Sequence, residues 1–208
     1  MTNKSSTQGQ SGEGHPVSRP FALEIGVSPD QLGGFDTHVQ RRLSALQGQF
    51  SAQEAYDQML PSDPLLYEVY TKQRPEVAEE LMHGITILYP GRVGDEFFMT
   101  KGHYHALRET AEIYYCLKGR GLMLMETDSG DWAAEEFYPG RMVYVAPCWA
   151  HRSINTGSEE LILFFACPGN AGHDYAAIEQ RGFRKIVVHR NGSVEVVDNP
   201  RWSAAVVR

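Results

Sequence analysis

The chain has 208 residues, of which 42% are hydrophobic, 11% aromatic and 22% charged, a composition that excludes a collagen-like or wholly disordered protein. Folding a chain of this length removes roughly 70% of its unfolded surface, enough for one core without disulfide staples. With 19 basic against 26 acidic residues the formal net charge is -7, so no global field draws nucleic acid or anionic lipid, and neither is expected as a partner.

The first twenty residues are rich in Ser, Gly, Gln and Thr, which predicts a disordered polar arm over residues 1–20 ahead of one domain over residues 21–208. The arm has no apolar run that could serve as a signal-peptide core. The longest later apolar run, residues 161–167, is too short to span a bilayer. The three cysteines, Cys116, Cys148 and Cys167, form no C-x-x-C pair, which argues against a disulfide framework and points to a reducing compartment. A cytoplasmic protein without a membrane span is the expectation.

Ser51 and Glu54 stand in a capping-box spacing that predicts a short helix to about Leu60, stopped by Pro61 and Pro64. From there the chain becomes a series of short Val-, Ile-, Tyr-, Phe- and Leu-rich segments, at residues 66–72, 84–89, 96–100, 112–117, 122–126, 142–145, 161–166, 185–188 and 194–197. Turn sequences such as Tyr-Pro-Gly-Arg at 89–92, Lys-Gly-Arg-Gly at 118–121 and Asn-Gly at 191–192 separate them. About nine strands joined in this way read as an all-β antiparallel sandwich or barrel. No stretch alternates strand and helix as a parallel sheet requires.

The densest chemistry lies between Thr100 and Gly119. On extended backbone, residues two apart share a face, so His103 and His105 present both imidazoles to one point while Tyr104 turns away. Glu112 follows a polar stretch long enough to turn the chain and opens the next apolar strand, where a hairpin brings its carboxylate back. His151 begins a returning strand after Pro147. A lone H-x-H is often a pair of surface histidines, but three imidazoles and one carboxylate form a nitrogen and oxygen set suited to iron(II), manganese, nickel, cobalt or zinc.

Further along, His173 and Tyr175 repeat the alternation around Asp174. His173 reads either as a loop residue capping backbone groups or as a group exchanging a proton with a substrate oxygen, since imidazole titrates near neutrality. Tyr114, two after Glu112, shares the face assigned to the metal. For an anion, Thr86 and Thr100 offer hydroxyls, Lys101 a charge and Gly102 an approachable N–H; Thr86 reads equally well as a strand residue chosen for its branched carbon.

These motifs, GHYH, Glu112, PCWAHRSIN, AGHDY and NGSVEVVDNPRW, with YEVY at 67–70, LYPGRVGDEFF at 88–98 and GFRKIVV at 182–188, resemble the cupin-type glucose-6-phosphate isomerases of archaea and bacteria over about residues 41–202. The resemblance implies a single-domain cupin β-barrel of jelly-roll type, a homodimer, a sugar-phosphate substrate and one divalent metal ion per subunit, iron(II) foremost, on His103, His105, Glu112 and His151. Its substrate contacts fall on Thr86, Thr100, Gly102, Tyr114, His173 and Tyr175, and catalysis on Glu112, His173 and Tyr175. The reaction implied is the interconversion of glucose 6-phosphate and fructose 6-phosphate by proton transfer through an enediolate, with a hydride shift as the rival. Six residues separate His105 from Glu112, against three or four in general cupins. Cys148 and Cys167 stand where the family leads one to expect tyrosines on the pocket wall, and Trp149 where general cupins have Gly. The alternatives are a non-haem iron dioxygenase on the same fold and a sugar-binding cupin without catalysis.

Overall fold

The computed structural model describes residues 19–202; the expected polar arm, apart from Arg19 and Pro20, and the chain from residue 203 onward lie outside them. In chain order the strands are β1 (Thr37–Arg42), β2 (Leu65–Lys72), β3 (Leu81–Leu88), β4 (Arg92–Val93), β5 (Glu96–Phe97), β6 (Glu112–Lys118), β7 (Gly121–Glu126), β8 (Trp132–Phe137), β9 (Met142–Val145), β10 (Ala150–Asn155), β11 (Leu161–Pro168), β12 (Lys185–Arg190) and β13 (Ser193–Asp198). Helix α1 (Gln53–Met59) precedes β2, and α2 (Ala176–Arg181) precedes β12.

Six strands form one antiparallel sheet in the order β1-β2-β3-β11-β6-β9. A second layer consists of β10-β7-β8 and β13-β12-β5-β4. Its two parts are joined by the chain after β5, which bridges β10 at Met99 with Ile154 and at His103 with His151. Leu163, Phe165, Cys116 and Val145 of the six-stranded sheet pack with Leu124, Phe137, Ile154 and Met99 of the second layer in one buried core. Burying each large apolar side chain contributes roughly 1.5–3 kcal/mol. The result is an all-β fold of two packed layers of antiparallel strands with two short α-helices among the described residues.

The central strand β11 reads LILFFACP without polar alternation because the sheet is covered on both faces. Ile85, Ile87 and Ile162 form a second small cluster on the far side, under Leu32, Phe35, Tyr70 and Tyr89. On the near side Thr71, Gly84, Phe165, Tyr114 and Val143 stand in one cross-strand row. Gly84 is required there, since a Cβ would lie 2.8 Å from the Phe165 ring and 2.1 Å from the Tyr70 carbonyl. The empty space above this row becomes the cavity described below.

Local signals in the sequence misplace several features. The Ser51 hydroxyl does not cap α1. It donates to Glu96 Oε2 at 2.9 Å, as does its backbone N–H at 2.8 Å, and the helix opens at Ala52 without a side-chain cap. Strands β1 and β8 carry too many polar and charged residues, THVQRR and WAAEEF, to be recognised without their partners. Helix α2 is six residues long and starts where the Asp174 side chain accepts from the Ala176 N–H at 3.1 Å. Residues 96–100 are strand only at Glu96–Phe97 before the bridge to β10 begins. Among the described residues no helix is long and apolar enough to cross a membrane.

Candidate active site

His103 and His105 sit on the extended segment that follows β5, Glu112 is the first residue of β6, and His151 the second of β10. Four ligand atoms, one from each, lie within 4.8 Å of one another. Main-chain pairing sets the spacing: His103 N–H donates to His151 O at 3.2 Å and His151 N–H to His103 O at 3.0 Å. The hairpin expected between His105 and Glu112 is closed by Thr110, whose N–H donates to Leu107 O at 3.1 Å.

Thr110 also selects the tautomer of His105. The His105 Nδ1–H reaches Thr110 O at 3.0 Å and Oγ1 at 2.8 Å, while the Thr110 hydroxyl donates to Leu107 O at 2.7 Å. This leaves the Nε2 lone pair for the cluster, the arrangement expected behind a metal-bound imidazole. His105 Nε2 lies 3.1 Å and His151 Nε2 2.8 Å from the same Glu112 oxygen, Oε2. Neighbouring ligands of an ion bound at about 2.1 Å are about 3 Å apart, so this packing matches a coordination shell.

The buried polar atoms agree. His103 Nε2 and His151 Nε2 are both buried without a hydrogen-bond partner; the short His151–Glu112 approach is out of line for one. Burial, reinforced by the neighbouring imidazoles, holds His103 well below the usual imidazole range. Burial raises Glu112, but the close imidazoles of His105, His151 and His103 outweigh it and keep the carboxyl well below its ordinary value. Burial opposes charge on His105 as well, and its Glu112 partner reverses the direction upward. Two lone-pair nitrogens and a held carboxylate aimed at one point fit a divalent first-row ion.

The cluster lines a cavity of about 810 Å³, open solvent at its mouth included. Thr86, Thr100, Gly102, His103, Glu112, Tyr114, His151, His173 and Tyr175 all line it; His105 stands behind, within the cluster. Thr100 Oγ1 accepts the Ser153 N–H at 3.0 Å, so the hydroxyl proton is free for a ligand. Gly102 adopts φ +78 and presents its N–H beside it. No described residue accepts that N–H or pairs with the Thr86 hydroxyl. All three groups line the same cavity as the metal cluster.

His173 packs edge-on to His103 with ring centroids 4.4 Å apart and stacks on Tyr175 at 5.6 Å and 7°. Burial lowers His173, so it is a neutral imidazole near neutrality, and burial raises the Tyr175 hydroxyl. Burial and the Glu112 carboxylate push Tyr114 well above the phenol range, so its hydroxyl is held neutral. Lys101 departs from expectation: it lines the cavity, but its ammonium pairs with Glu179 on α2 and lies 5.2 Å over the Tyr175 ring.

Neither cysteine lines the cavity. Cys148 is exposed and supplies the left-handed turn residue ahead of β10, φ +68. Cys167 is buried, and Met82, its cross-strand partner, forms the wall instead. Arg41, Val39, Tyr67, Val69 and Thr71 of β1 and β2 also line the cavity and escape a reading of the sequence. Their only signal is the period-two alternation Val39, Arg41 and Tyr67, Val69, Thr71 along strands whose pairing the sequence does not reveal.

Comparison with known proteins follows this geometry. The family model described as "Glucose-6-phosphate isomerase (GPI)" matches residues 40–202. A glucose-6-phosphate isomerase of Thermococcus litoralis is 50% identical over 184 residues, covering 88% of this chain and 96% of that protein. One of Pyrococcus horikoshii is 49% identical over 88% and 97% of the two chains. A putative glucose-6-phosphate isomerase of Rhizobium meliloti is 35% identical over 90% and 87%. Among solved structures, a protein with a double-stranded β-helix domain from Klebsiella pneumoniae subsp. pneumoniae superposes on half of the chain with a TM-score of 0.40 and 16% identity, covering 79% of its own chain. An oxalate oxidase superposes over 47% of each chain at a TM-score of 0.40 and 15% identity. The family match and the full-length relatives place this chain in the glucose-6-phosphate isomerase family.

Proposed function

We propose that this chain is a metal-dependent aldose-ketose isomerase that interconverts glucose 6-phosphate and fructose 6-phosphate. One observation carries the reading: a single cavity is lined both by the three-histidine, one-glutamate cluster and by the Thr86, Thr100 and Gly102 donors. A hexose phosphate has matching groups, a carbonyl and hydroxyl pair at C1 and C2 and an anion at C6. His103, His105, Glu112 and His151 would hold the ion, iron(II) foremost, with manganese, nickel, cobalt and zinc also suited to the donor set. When bound, it supplies Lewis-acid stabilisation of the negative charge that develops on oxygen.

The protein groups divide the remaining work. Thr86, Thr100 and Gly102 bind the phosphate and fix the position of C1 and C2. Val69, Met82 and Phe165 give the cavity an apolar wall that excludes water. His173, held neutral, takes the anomeric hydroxyl proton as the bond from the anomeric carbon to the ring oxygen breaks, and returns that proton to the ring oxygen, with Tyr175 stacked behind it. Glu112 removes the C2 proton to give an enediolate and returns it to C1, while a proton passes from O2 to O1. Tyr114, kept protonated, donates toward the oxygen nearest Glu112.

A carboxylate committed to holding the metal is a weakened base, which favours a second route, in which the C2 hydrogen passes directly to C1 as hydride while the O2 proton moves to O1. Substrate deuterated at C2 separates the two: label lost to water supports Glu112 as base, and full retention assigns the hydride route. The Thr100 and Gly102 cradle favours a phosphorylated substrate over the dioxygenase and binding-protein alternatives, neither of which needs it. The same family inference makes the protein a cytoplasmic homodimer and residues 21–208 one catalytic domain.

The test of function is conversion of fructose 6-phosphate by purified protein, read through a coupled dehydrogenase. Turnover lost on chelation and restored by iron(II) or manganese is expected. No turnover by fully metallated protein overturns the reading.

A further inference from the structure

Directly after His151, the side chain of Arg152 points away from the cavity and is the largest fully buried side chain in the protein, 2% exposed. A buried guanidinium is expensive unless its donors are used; here both Nη atoms find partners, while Nε is buried without one. Nη2 donates to Gln49 Oε1 at 2.7 Å and to the Lys101 carbonyl, and Nη1 lies 2.9 Å from Met99 Sδ. The guanidinium also stacks 4.3 Å from the Phe183 ring centroid, and the buried carboxylates of Glu96 and Glu126 balance its charge.

The Lys101 carbonyl belongs to the same peptide group as the Gly102 N–H. A donor on the oxygen of a peptide makes its N–H a stronger donor, because hydrogen bonds in a chain polarise one another. Arg152 therefore acts on the cradle through one amide plane, with a cation on the protein side and the free N–H on the cavity side. The contact also fixes the orientation of that plane: a Cβ at Gly102 would lie 2.7 Å from Phe183 and 3.0 Å from Arg152 Nε, so the turn rests directly on this pair.

We propose that Arg152 is a positioning residue for phosphate recognition, orienting and polarising the Lys101-Gly102 peptide whose N–H meets the anion. It never touches the substrate. The inference rests on the reading of residues 100–102 as the phosphate-binding part of the site.

Arg152→Lys tests it, because lysine keeps the charge that Glu96 and Glu126 require but loses the fork and the stacked plane. KM for fructose 6-phosphate and the inhibition constant of inorganic phosphate are both expected to rise about tenfold, the size of one strong charge-assisted contact, with metal content unchanged and kcat altered much less. Gln49→Leu, which leaves the arginine in place and removes one anchor, should move both constants the same way by about threefold and carries the test if Arg152→Lys fails to fold. If the wild-type protein turns over substrate and binds inorganic phosphate but both variants leave the two constants within twofold, or lower only kcat and metal content together, the role of Arg152 is overturned. If the metallated wild type neither turns over fructose 6-phosphate nor is protected by inorganic phosphate in thermal unfolding, the reading of the cradle falls first, and the inference with it.

Discussion

The two parts of the proposed site are built from different materials. The metal cluster is made of side chains, four ligand atoms from His103, His105, Glu112 and His151 carried by β6, β10 and the segment ahead of β6. The proposed anion site is made largely of main chain: the Gly102 N–H at φ +78, with the Thr100 hydroxyl locked by the Ser153 N–H and the neighbouring peptide gripped by Arg152. Side-chain chemistry fails when an atom is deleted. Main-chain chemistry fails when the fold around it shifts.

The sharpest break is expected at Glu112. Glu112→Ala removes the carboxylate that holds His105 and His151 together, and kcat/KM should fall by more than about a thousandfold with loss of retained metal; metal analysis beside the coupled assay reads both. Gly102→Ala attacks the anion site without deleting any polar group. The added methyl meets Phe183 in a left-handed turn that costs on the order of 1–3 kcal/mol, so KM should rise about ten- to a hundredfold while the metal stays bound. A KM unchanged by that methyl would mean that the cradle is not where phosphate sits.

A smaller effect sharpens the contrast from behind the metal cluster. Thr110→Val removes one of two acceptors for His105 Nδ1–H, keeping the Thr110 carbonyl. Metal affinity should weaken about tenfold, the lower end for a partner behind a ligand, with KM for fructose 6-phosphate at saturating metal unchanged; competition with a calibrated chelator measures the first quantity. The mildest change is Thr100→Ser, which keeps the hydroxyl and should leave KM within about threefold.

The same contrast explains what could be read from the sequence. His103, His105 and Glu112 announce themselves because side-chain ligands follow the period of a strand and the length of a hairpin, both local. The nine apolar segments likewise mark strands that a core must cover. Strands β1 and β8 are hidden by their charged residues, and the capping-box spacing at Ser51 misleads because Glu96, distant in sequence, captures the hydroxyl. Arg152 is hidden for a similar reason. In AHRSIN an arginine beside a histidine reads as the solvent side of an alternating strand, whereas all six residues are buried, and the group that receives its charge-assisted bond, Gln49, lies 103 residues earlier. Cys148 and Cys167 mark the limit of family expectation: the positions were legible, but the wall they were assigned to is formed by other residues.

The segment at residues 103–104 is spliced on both edges, to His151 on one side and to Asp174 on the other, where Tyr104 N–H and Asp174 N–H exchange bonds of 3.1 and 2.8 Å. The stretch that carries His173 and Tyr175 is therefore a third rail of the metal-bearing ladder and no swinging door. The solvent-facing part of the cavity lining lies on β1, the outermost strand of its sheet, which offers the exposed Val39 and Arg41 at the water's edge.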